Sequence, residues 1–421
     1  MVEKPYEWSH GATLEEHSKR KLKILREYFV RYLAVRCQLP QQSRFRLAIV
    51  EGFAGGGRYS CGTPGSPLIF IEELCNAAQA FNIKRRAEGM AALDIQCLLI
   101  LNDADRDAIE ALRANVAPLV AAAKDIANRL DLKIEYRNAE FEAVYPEIKA
   151  LVHQERFRSV IFNLDQCGHT HVSRATLADI MHVQPSAEIF YTFVIEALLA
   201  FLQKSNPAHL ARQLAHVGLE GHQLFQLQGA MTNKEWLGAA ERLVMEAFHT
   251  CAPYVSPFSI NNPDGWRYWL IHFANSYRAR QEYNDILHSN SSEQAHFGRS
   301  GLNMLSYDPR YDPGSLYLFD VSGRKAALDQ LHNDVPRLIS EFGDVIGVGV
   351  FYESIYNMTP AHSDDIHAAM LNADDVEVIT EAGGERRSTK AIMPQDTLRL
   401  KRQRSFFPWF SMSDKKSVEP K

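Results

Sequence analysis

The residues with the most pointed chemistry lie in one short stretch, Glu51-Gly52-Phe53-Ala54-Gly55-Gly56-Gly57. Glycines lack a Cβ and let the backbone pass close to a ligand. The acid that heads the run suits a ligand ammonium or hydroxyl. No Lys-Ser or Lys-Thr pair closes the loop, so it is not a nucleotide-phosphate loop. Three more acids follow short apolar runs: Asp103, Glu140 and Asp165. In Rossmann-type sites an acid after the second strand accepts from ribose hydroxyls. Asp103 stands 52 positions after Glu51, against about 20 after the glycines in dinucleotide enzymes. A long entry to the first helix of the unit and a polar insert near 82–90 account for the excess. Glu140 would sit near a bound base. Asp165 opens Asp165-Gln166-Cys167-Gly168, where a carboxylate could orient an acceptor or take a proton, with help from Tyr59 or Tyr191. Cys167, His169 and His171 alternate as a zinc-like donor set. Spacing supplies no fourth ligand, so they read better as loop residues, and no metal is expected.

Each acid needs an element to hold it. Arg46–Glu51 is a short apolar run bounded by turn residues, which suits a buried strand. Ser66-Pro67 then supplies a cap and a first-turn proline for a helix. The unit repeats with strands at Cys97–Leu101, Leu132–Arg137, Val160–Leu164 and Ile189–Val194. Helices are expected between them at 105–119, 145–153 and 176–181. Such alternation predicts a parallel sheet covered on both faces. Ahead of it, Thr13-Leu-Glu-Glu16 reads as a capping box, and Leu22, Leu25, Phe29 and Leu33 recur at helical spacing. After about 200 the pattern turns helical, as in Trp236–Phe248. Tyr254–Ile260 and Trp266–Phe273 then flank the turn Asn262-Pro-Asp-Gly265 as a hairpin. Tyr268, Trp269 and Phe273 read as core strand rather than a base-stacking platform.

Composition sets the frame. Of 421 residues, 46% are hydrophobic and 23% charged, ordinary globular values that exclude a disordered or fibrous chain. The net charge of −5 excludes a uniformly basic coat protein. The six cysteines are scattered without a C-x-x-C pair, which favours a reducing cytoplasm over a disulfide framework. The apolar run Ile189–Leu202 is too short for a membrane span and is broken by Glu196. The first ten residues lack the apolar core of a signal peptide.

The charge is uneven. Residues 385–404 carry seven Arg or Lys against Glu385 and Asp396, a local +5. Alanine-rich helical stretches (325–341, 361–371) precede Val376–Ile379, the turn Gly383-Gly384 and a basic strand. This suggests a winged-helix-like unit in which Arg386, Arg387, Lys401 and Arg402 hold nucleic-acid phosphates. A solvated basic hairpin fits the same residues. Asp364-Asp365 and Asp374-Asp375 read as a solvated acidic face.

The expected fold class is therefore α/β: a Rossmann-like class I methyltransferase core, a parallel sheet with an antiparallel seventh strand. A helical insertion at about 203–250 and a C-terminal winged-helix-like domain complete it. The expected division is an N-terminal helical segment (1–44), the core (45–306), the C-terminal domain (307–408) and a disordered tail (409–421).

Over about residues 13–400 the chain resembles the three-Cys-motif partner proteins of bacteria. His17, Lys21, Leu25 and Tyr28 fit that family's opening helix. Glu51-Gly-Phe53-Ala54-Gly55-Gly-Gly57-Arg-Tyr59 followed by Gly65-Ser66-Pro67-Leu68 fits its D-x-F-A-G-x-G-x-Y and G-S-P-L signature. Asp103-Ala-Asp105, Tyr268–Ser276 and Thr359-Pro360 with Ile366 and Met370 fit later segments. The F-A-G-x-G-R-Y stretch is also locally similar to adenine-N6 ribosomal RNA methyltransferases. The resemblance implies an S-adenosyl-L-methionine-dependent methyltransferase acting on nucleic acid, RNA or DNA. Glu51, Gly52, Phe53, Ala54, Gly55 and Gly57 would hold the methionine part, Asp103 the ribose and Glu140 the adenine side, with Asp165 and Tyr59 as catalytic groups. The alternative is a catalytically degenerate partner protein that docks a three-Cys-motif radical-SAM-like protein or nucleic acid. The family's D-P-F-G becomes Asp165-Gln166-Cys167-Gly168 here, which weakens base stacking and favours that alternative.

Overall fold

The computed structural model describes residues 8, 12–201, 211–212, 214–219, 233–261, 267–290, 294–297, 316–318 and 321–401. The expected turn at Asn262–Gly265, Arg402, the 409–421 tail and most of the insertion before residue 233 lie outside them.

Helix α1 (Glu16–Arg36) precedes β1 (Arg44–Glu51). Then follow α2 (Ser66–Ala87), β2 (Asp94–Asn102), α3 (Arg106–Ile126) and β3 (Leu130–Arg137). After these come α4 (Phe141–Gln154), β4 (Ser159–Leu164), α5 (Arg174–Val183) and β5 (Ser186–Phe193). Helices α6 (Ile195–Phe201) and α7 (Asn233–His249) form the insertion before β6 (Tyr254–Asn261), β7 (Arg267–Ala274) and α8 (Tyr277–Ser289).

The strand order is β3-β2-β1-β4-β5-β7-β6. The first five pair in parallel, and β7 runs antiparallel between β5 and β6. This is a Rossmann-like α/β core. Two short strands not among the expected elements, β8 (Gln294–Phe297) and β9 (Leu316–Leu318), extend the sheet beyond β6. The large sheet therefore takes in residues 316–318, past the expected boundary at 306.

Both faces of the sheet are covered, which is why its strands read as continuous apolar runs. Leu47 and Ile49 of β1 face the layer holding α1, α2, α3 and α8. Ala48 and Val50 face α4, α5 and α7. Strand β1 lies between β2 and β4, so the crevice at its carboxyl end is the topological switch point where open α/β sheets take ligands.

Two expected caps are displaced. Helix α1 begins at Glu16 with Glu15 as its N-cap and no side-chain cap bond, so the Thr13 capping box does not form. Tertiary contacts of the first turns, with His17 stacked on Tyr268 at 4.2 Å and Lys21 paired with Asp165, fix this end instead. At α2 the N-cap is Gly65, one residue before Ser66.

The C-terminal lobe runs α9 (Val321–Glu341), β10 (Val345–Gly347), α10 (Val348–Ile355), α11 (Ser363–Asn372), β11 (Val376–Ile379) and β12 (Thr397–Leu400). Its antiparallel sheet is ordered β10-β12-β11, and Leu331, Val335, Phe351, Ile366, Met370 and Leu398 fill its core. Neither β10 nor α10 is among the expected elements. Helix α8 ties this lobe to the large sheet. The buried Arg280 donates to Tyr356 O at 3.0 Å, and Asn284 donates to Thr359 O at 3.0 Å. Asp285 accepts from Ser363 N at 2.8 Å. Among the described residues no helix is long and apolar enough to cross a membrane.

Candidate functional site

The glycine loop leaves β1 into the switch-point crevice and is held from three sides. Gly52 N donates to Asn163 O on β4 at 3.0 Å, and Ala54 N donates to Asn102 O on β2 at 2.8 Å. The Asn102 amide donates to Gly52 O at 3.0 Å and Ala139 O at 2.9 Å. Asn115 of α3 donates to Gly56 O at 2.8 Å. Two glycines are required by conformation. Gly55 has φ +59° and Gly57 φ +80°, where a side chain is strained. A Cβ on Gly57 would also fall 2.7 Å from Leu112 Cδ1. The indole of Trp8 lies against Gly55 and Gly56, where an added Cβ would meet it at 2.3 and 2.7 Å. Trp8 in turn packs near the Tyr59 ring, at 5.6 Å between centroids. Tyr59 sits in the turn closed by its own N–H on Thr63 O.

The acids at the strand ends differ sharply in environment. Glu51 is fully buried. Asn163 Nδ2 donates to its Oε2 at 3.0 Å, whereas Oε1 has no hydrogen-bond partner. Burial pushes this carboxyl up to about 8, against the pull of the Asn163 amide and the nearby Ser66 hydroxyl and with the nearby Asp165 charge adding to the rise. Asp103 braces the loop. Its Oδ2 accepts from Gly55 N at 2.8 Å and its Oδ1 from Asp105 N at 2.9 Å. Each carboxylate oxygen keeps a further lone pair for a ligand hydroxyl. Burial raises the Asp103 carboxyl despite those two bonds, with the Asp105 and Glu140 charges adding to the rise. Glu140 is exposed at the N-cap of α4 and makes no capping bond. Phe53 is half-buried, with Phe141 and His171 beside it at about 6 Å.

Asp165 has a partner that sequence reasoning did not assign. Lys21 of α1, itself buried, places Nζ 2.5 Å from Asp165 Oδ1. Burial opposes ionisation of Asp165, but the Lys21 charge and hydrogen bonds from Lys21 and Thr192 outweigh it. They hold the carboxyl below the usual range. A carboxylate so stabilised is a weak proton acceptor. His17, one turn before Lys21, is pushed down to about 4 by burial and then by the Lys21 charge, against the pull of Asp165. Beside the pair is a cavity of about 10 Å³ lined by Lys21, Asn163, Asp165 and Thr192, room for one water molecule at most. The signal for Lys21 was a lysine on the same face as Leu25 and Tyr28, since long charged side chains enter a core mainly when paired.

The rest of the β4 loop is internally used. Gln166 is buried, donates to Tyr191 Oη at 2.7 Å, and accepts from His171 N at 3.0 Å. Tyr191 in turn donates to Val172 O at 3.2 Å. Both side chains pin the loop that carries Cys167 and Gly168. His169 turns its ring toward Phe193, and His171 toward Phe53. Among the described residues no three metal-ligating side chains converge.

The basic residues of the C-terminal lobe have local partners of their own. Arg386 is committed to Asp396, with Nε to Oδ2 at 2.8 Å and Nη2 to Oδ1 at 3.0 Å. Lys401 donates to Asp374 O at 2.8 Å, and Arg387 is exposed. Arg399 is paired with Glu377 at 2.7 Å, and Arg402 is outside the described residues. The acidic string is mixed: Asp364, Asp374 and Asp375 are exposed, but Asp365 is buried and takes a bidentate pair from Arg324 at 2.7 and 2.9 Å. Trp269 and Phe273 are core residues, as expected, and Tyr268 stacks on His17.

No protein-family model matches this chain, and no curated protein sequence matches it.

Proposed function

We propose that the protein binds S-adenosyl-L-methionine at the carboxyl edge of β1 and β2, as an S-adenosyl-L-methionine-dependent methyltransferase. The observation that carries the reading is Glu51: a fully buried carboxyl at the switch point whose Oε1 lacks a partner, beside a glycine loop with positive φ at Gly55 and Gly57 that Trp8 covers in this structure. Burial keeps Glu51 largely protonated near neutrality, and a ligand ammonium would favour its ionised form and take the free oxygen as acceptor. Asp103 keeps lone pairs for ribose hydroxyls, and Glu140 lies at the adenine side. The bound sulfonium would bring an already activated methyl group, so the chain's part would be positioning and exclusion of water. Asp165 and Tyr59 are the groups proposed to orient an acceptor.

A second reading is a catalytically degenerate protein that keeps the ligand site and docks a partner, either a three-Cys-motif radical-SAM-like protein or nucleic acid. The Lys21–Asp165 pair favours it, because the carboxylate that would meet an acceptor is already neutralised. The order α9-β10-α10-α11-β11-β12 supports a winged-helix-like reading of the C-terminal lobe. The commitment of Arg386 and Arg399 to carboxylates leaves Arg387, Lys401 and Arg402 as the proposed phosphate contacts.

Titration calorimetry with S-adenosyl-L-methionine tests the first step. Binding that Glu51→Ala abolishes supports the site. No binding, or binding that Glu51→Ala leaves unchanged, refutes it. Methyl transfer from labelled cofactor to offered RNA, DNA or protein then separates an enzyme from a binding protein.

A further inference from the structure

Each glycine of the loop has a side on which a side chain is missing, and these sides face different neighbours. A Cβ on Gly52 would fall 2.6 Å from Leu164 Cδ2, and one on Gly57 would fall 2.7 Å from Leu112 Cδ1. Both leucines are core residues, so these two glycines let the loop pack against the protein itself. Gly55 and Gly56 turn the missing side chain toward Trp8 instead. On Gly56 the added Cβ would meet Trp8 Cε3 at 2.7 Å, and on Gly55 it would run into the same indole. The close approach that a glycine loop offers a ligand is therefore at Gly55 and Gly56, and Trp8 fills it.

The turn that follows the loop backs this position. Tyr59 N donates to Thr63 O at 3.0 Å and Gly62 N to Tyr59 O at 2.9 Å, and Arg58 bridges to Pro64 across the turn. From it Ser60 N donates to Ala12 O at 2.9 Å, which ties down the chain four residues after Trp8. The Tyr59 ring stands 5.6 Å from the indole. The backbone beneath the indole is braced from behind. Gly55 N is held by Asp103 Oδ2 and Gly56 O by the Asn115 amide, each at 2.8 Å. The loop thus has no room to draw back, and the indole is the part left to move. Trp8 is half-buried, and releasing a ring that already meets water costs less than opening the core.

We infer that Trp8 is a displaceable plug on the glycine loop, and that S-adenosyl-L-methionine enters by driving its indole off Gly55 and Gly56 into solvent. The inference rests on the cofactor reading above. Ligand and indole need the same face of the same two residues, so each excludes the other. The apparent affinity is then the intrinsic one reduced by the fraction of molecules in which Trp8 is withdrawn. Trp8 acts as a brake on ligand entry, not as a ligand contact, and it covers loop backbone that would otherwise stand open before the ligand arrives.

Titration calorimetry of S-adenosyl-L-methionine against wild type, Trp8→Phe and Trp8→Ala provides the test. Trp8→Ala is expected to bind about tenfold tighter than wild type, the factor for a plug in place about nine-tenths of the time. A second measurement does not depend on the folding of the alanine variant. The emission difference between wild type and Trp8→Phe reports Trp8 alone. At saturating S-adenosyl-L-methionine it should move to the wavelength of a water-exposed indole, and acrylamide should quench it more strongly. Equal or weaker binding by Trp8→Ala overturns the plug and leaves the cofactor site standing. A Trp8 emission that bound ligand leaves unchanged or shifts toward a more shielded ring does the same. Binding by none of the three proteins overturns the cofactor reading, and the plug with it.

Discussion

Removing the Lys21 amine should cost more stability near neutrality than in acid. The pair brings charges about 3 Å apart, worth roughly 5 kcal/mol of gross attraction at an effective dielectric near 20. Desolvation takes back most of this, because Lys21 keeps only 10% of its side-chain surface and Asp165 31%. A net coupling of about 1–2 kcal/mol remains. Lys21→Met strands a carboxylate that is one-third exposed. It should therefore cost about 2 kcal/mol, below the ~3–5 of a fully buried orphaned charge. The pH dependence follows from the direction of the shift. The folded Asp165 carboxyl is below its ordinary value, so its contribution is present above about pH 4 and is lost as pH falls through the folded value. Without Lys21, burial dominates and raises the carboxyl, so the variant instead loses stability as pH rises above about 4. The groups facing the pair are His17 and Thr192. His17, depressed to about 4, costs both proteins stability as pH falls from about 6.5 toward 4. Urea midpoints of wild type, Lys21→Met, Asp165→Asn and the double variant, taken at about pH 4 and pH 7, provide the assay. The wild-type advantage over Lys21→Met should grow with pH, and the double variant should recover part of the loss. An additive cycle, or a Lys21→Met midpoint equal to wild type at neutrality, would refute the pairing argument.

Glu51 carries the opposite sign. Its folded value near 8 stands above the unfolded value of 4.5, so stability should fall as pH rises between them, by at most about 1.4 kcal/mol per unit. Glu51→Gln should flatten that slope in a thermal-melt series, and a slope equal to wild type would sink the assignment. Gly57→Ala should cost about 1–3 kcal/mol in a urea titration, from φ +80° together with a Cβ 2.7 Å from Leu112. A neutral effect would mean that the loop relaxes freely.

The sheet was legible because burial on both faces writes a distinctive pattern. All of Leu47–Glu51 is buried in β1, and the run reads as uninterrupted apolar residues ending in an acid. The antiparallel β6–β7 pair was legible from a turn signal between two apolar runs. What sequence hid was long-range pairing. Lys21 and Asp165 are 144 positions apart, and no periodicity links them. The same holds over a shorter distance in the C-terminal lobe: Arg386 and Asp396 count as separate charges in a string, but a loop brings them together across ten positions as an ion pair. Strand β10 is three residues long, too short to stand out from its surroundings.

The strand-end acids looked equivalent in sequence because position alone assigns them. Their surroundings divide them. Asn163 on β4 donates to Glu51, and two residues later Asp165 meets Lys21. One acid is buried with a spare oxygen and takes up a proton readily; the other is already neutralised by a fixed cation. Environments that push neighbouring carboxyls apart assign them different roles. A cationic ligand entering the crevice could therefore take the place of the proton on Glu51, whereas Asp165 already has Lys21 as its cation. To use Asp165, an acceptor must first displace Lys21, which requires α1 to shift from a position also held by the stack of His17 on Tyr268 and by Tyr28 donating to Glu188. Helix α1 thus sets how accessible the β4 end of the site is, while Trp8, packed on Gly55 and Gly56, sets access to the β1 and β2 side.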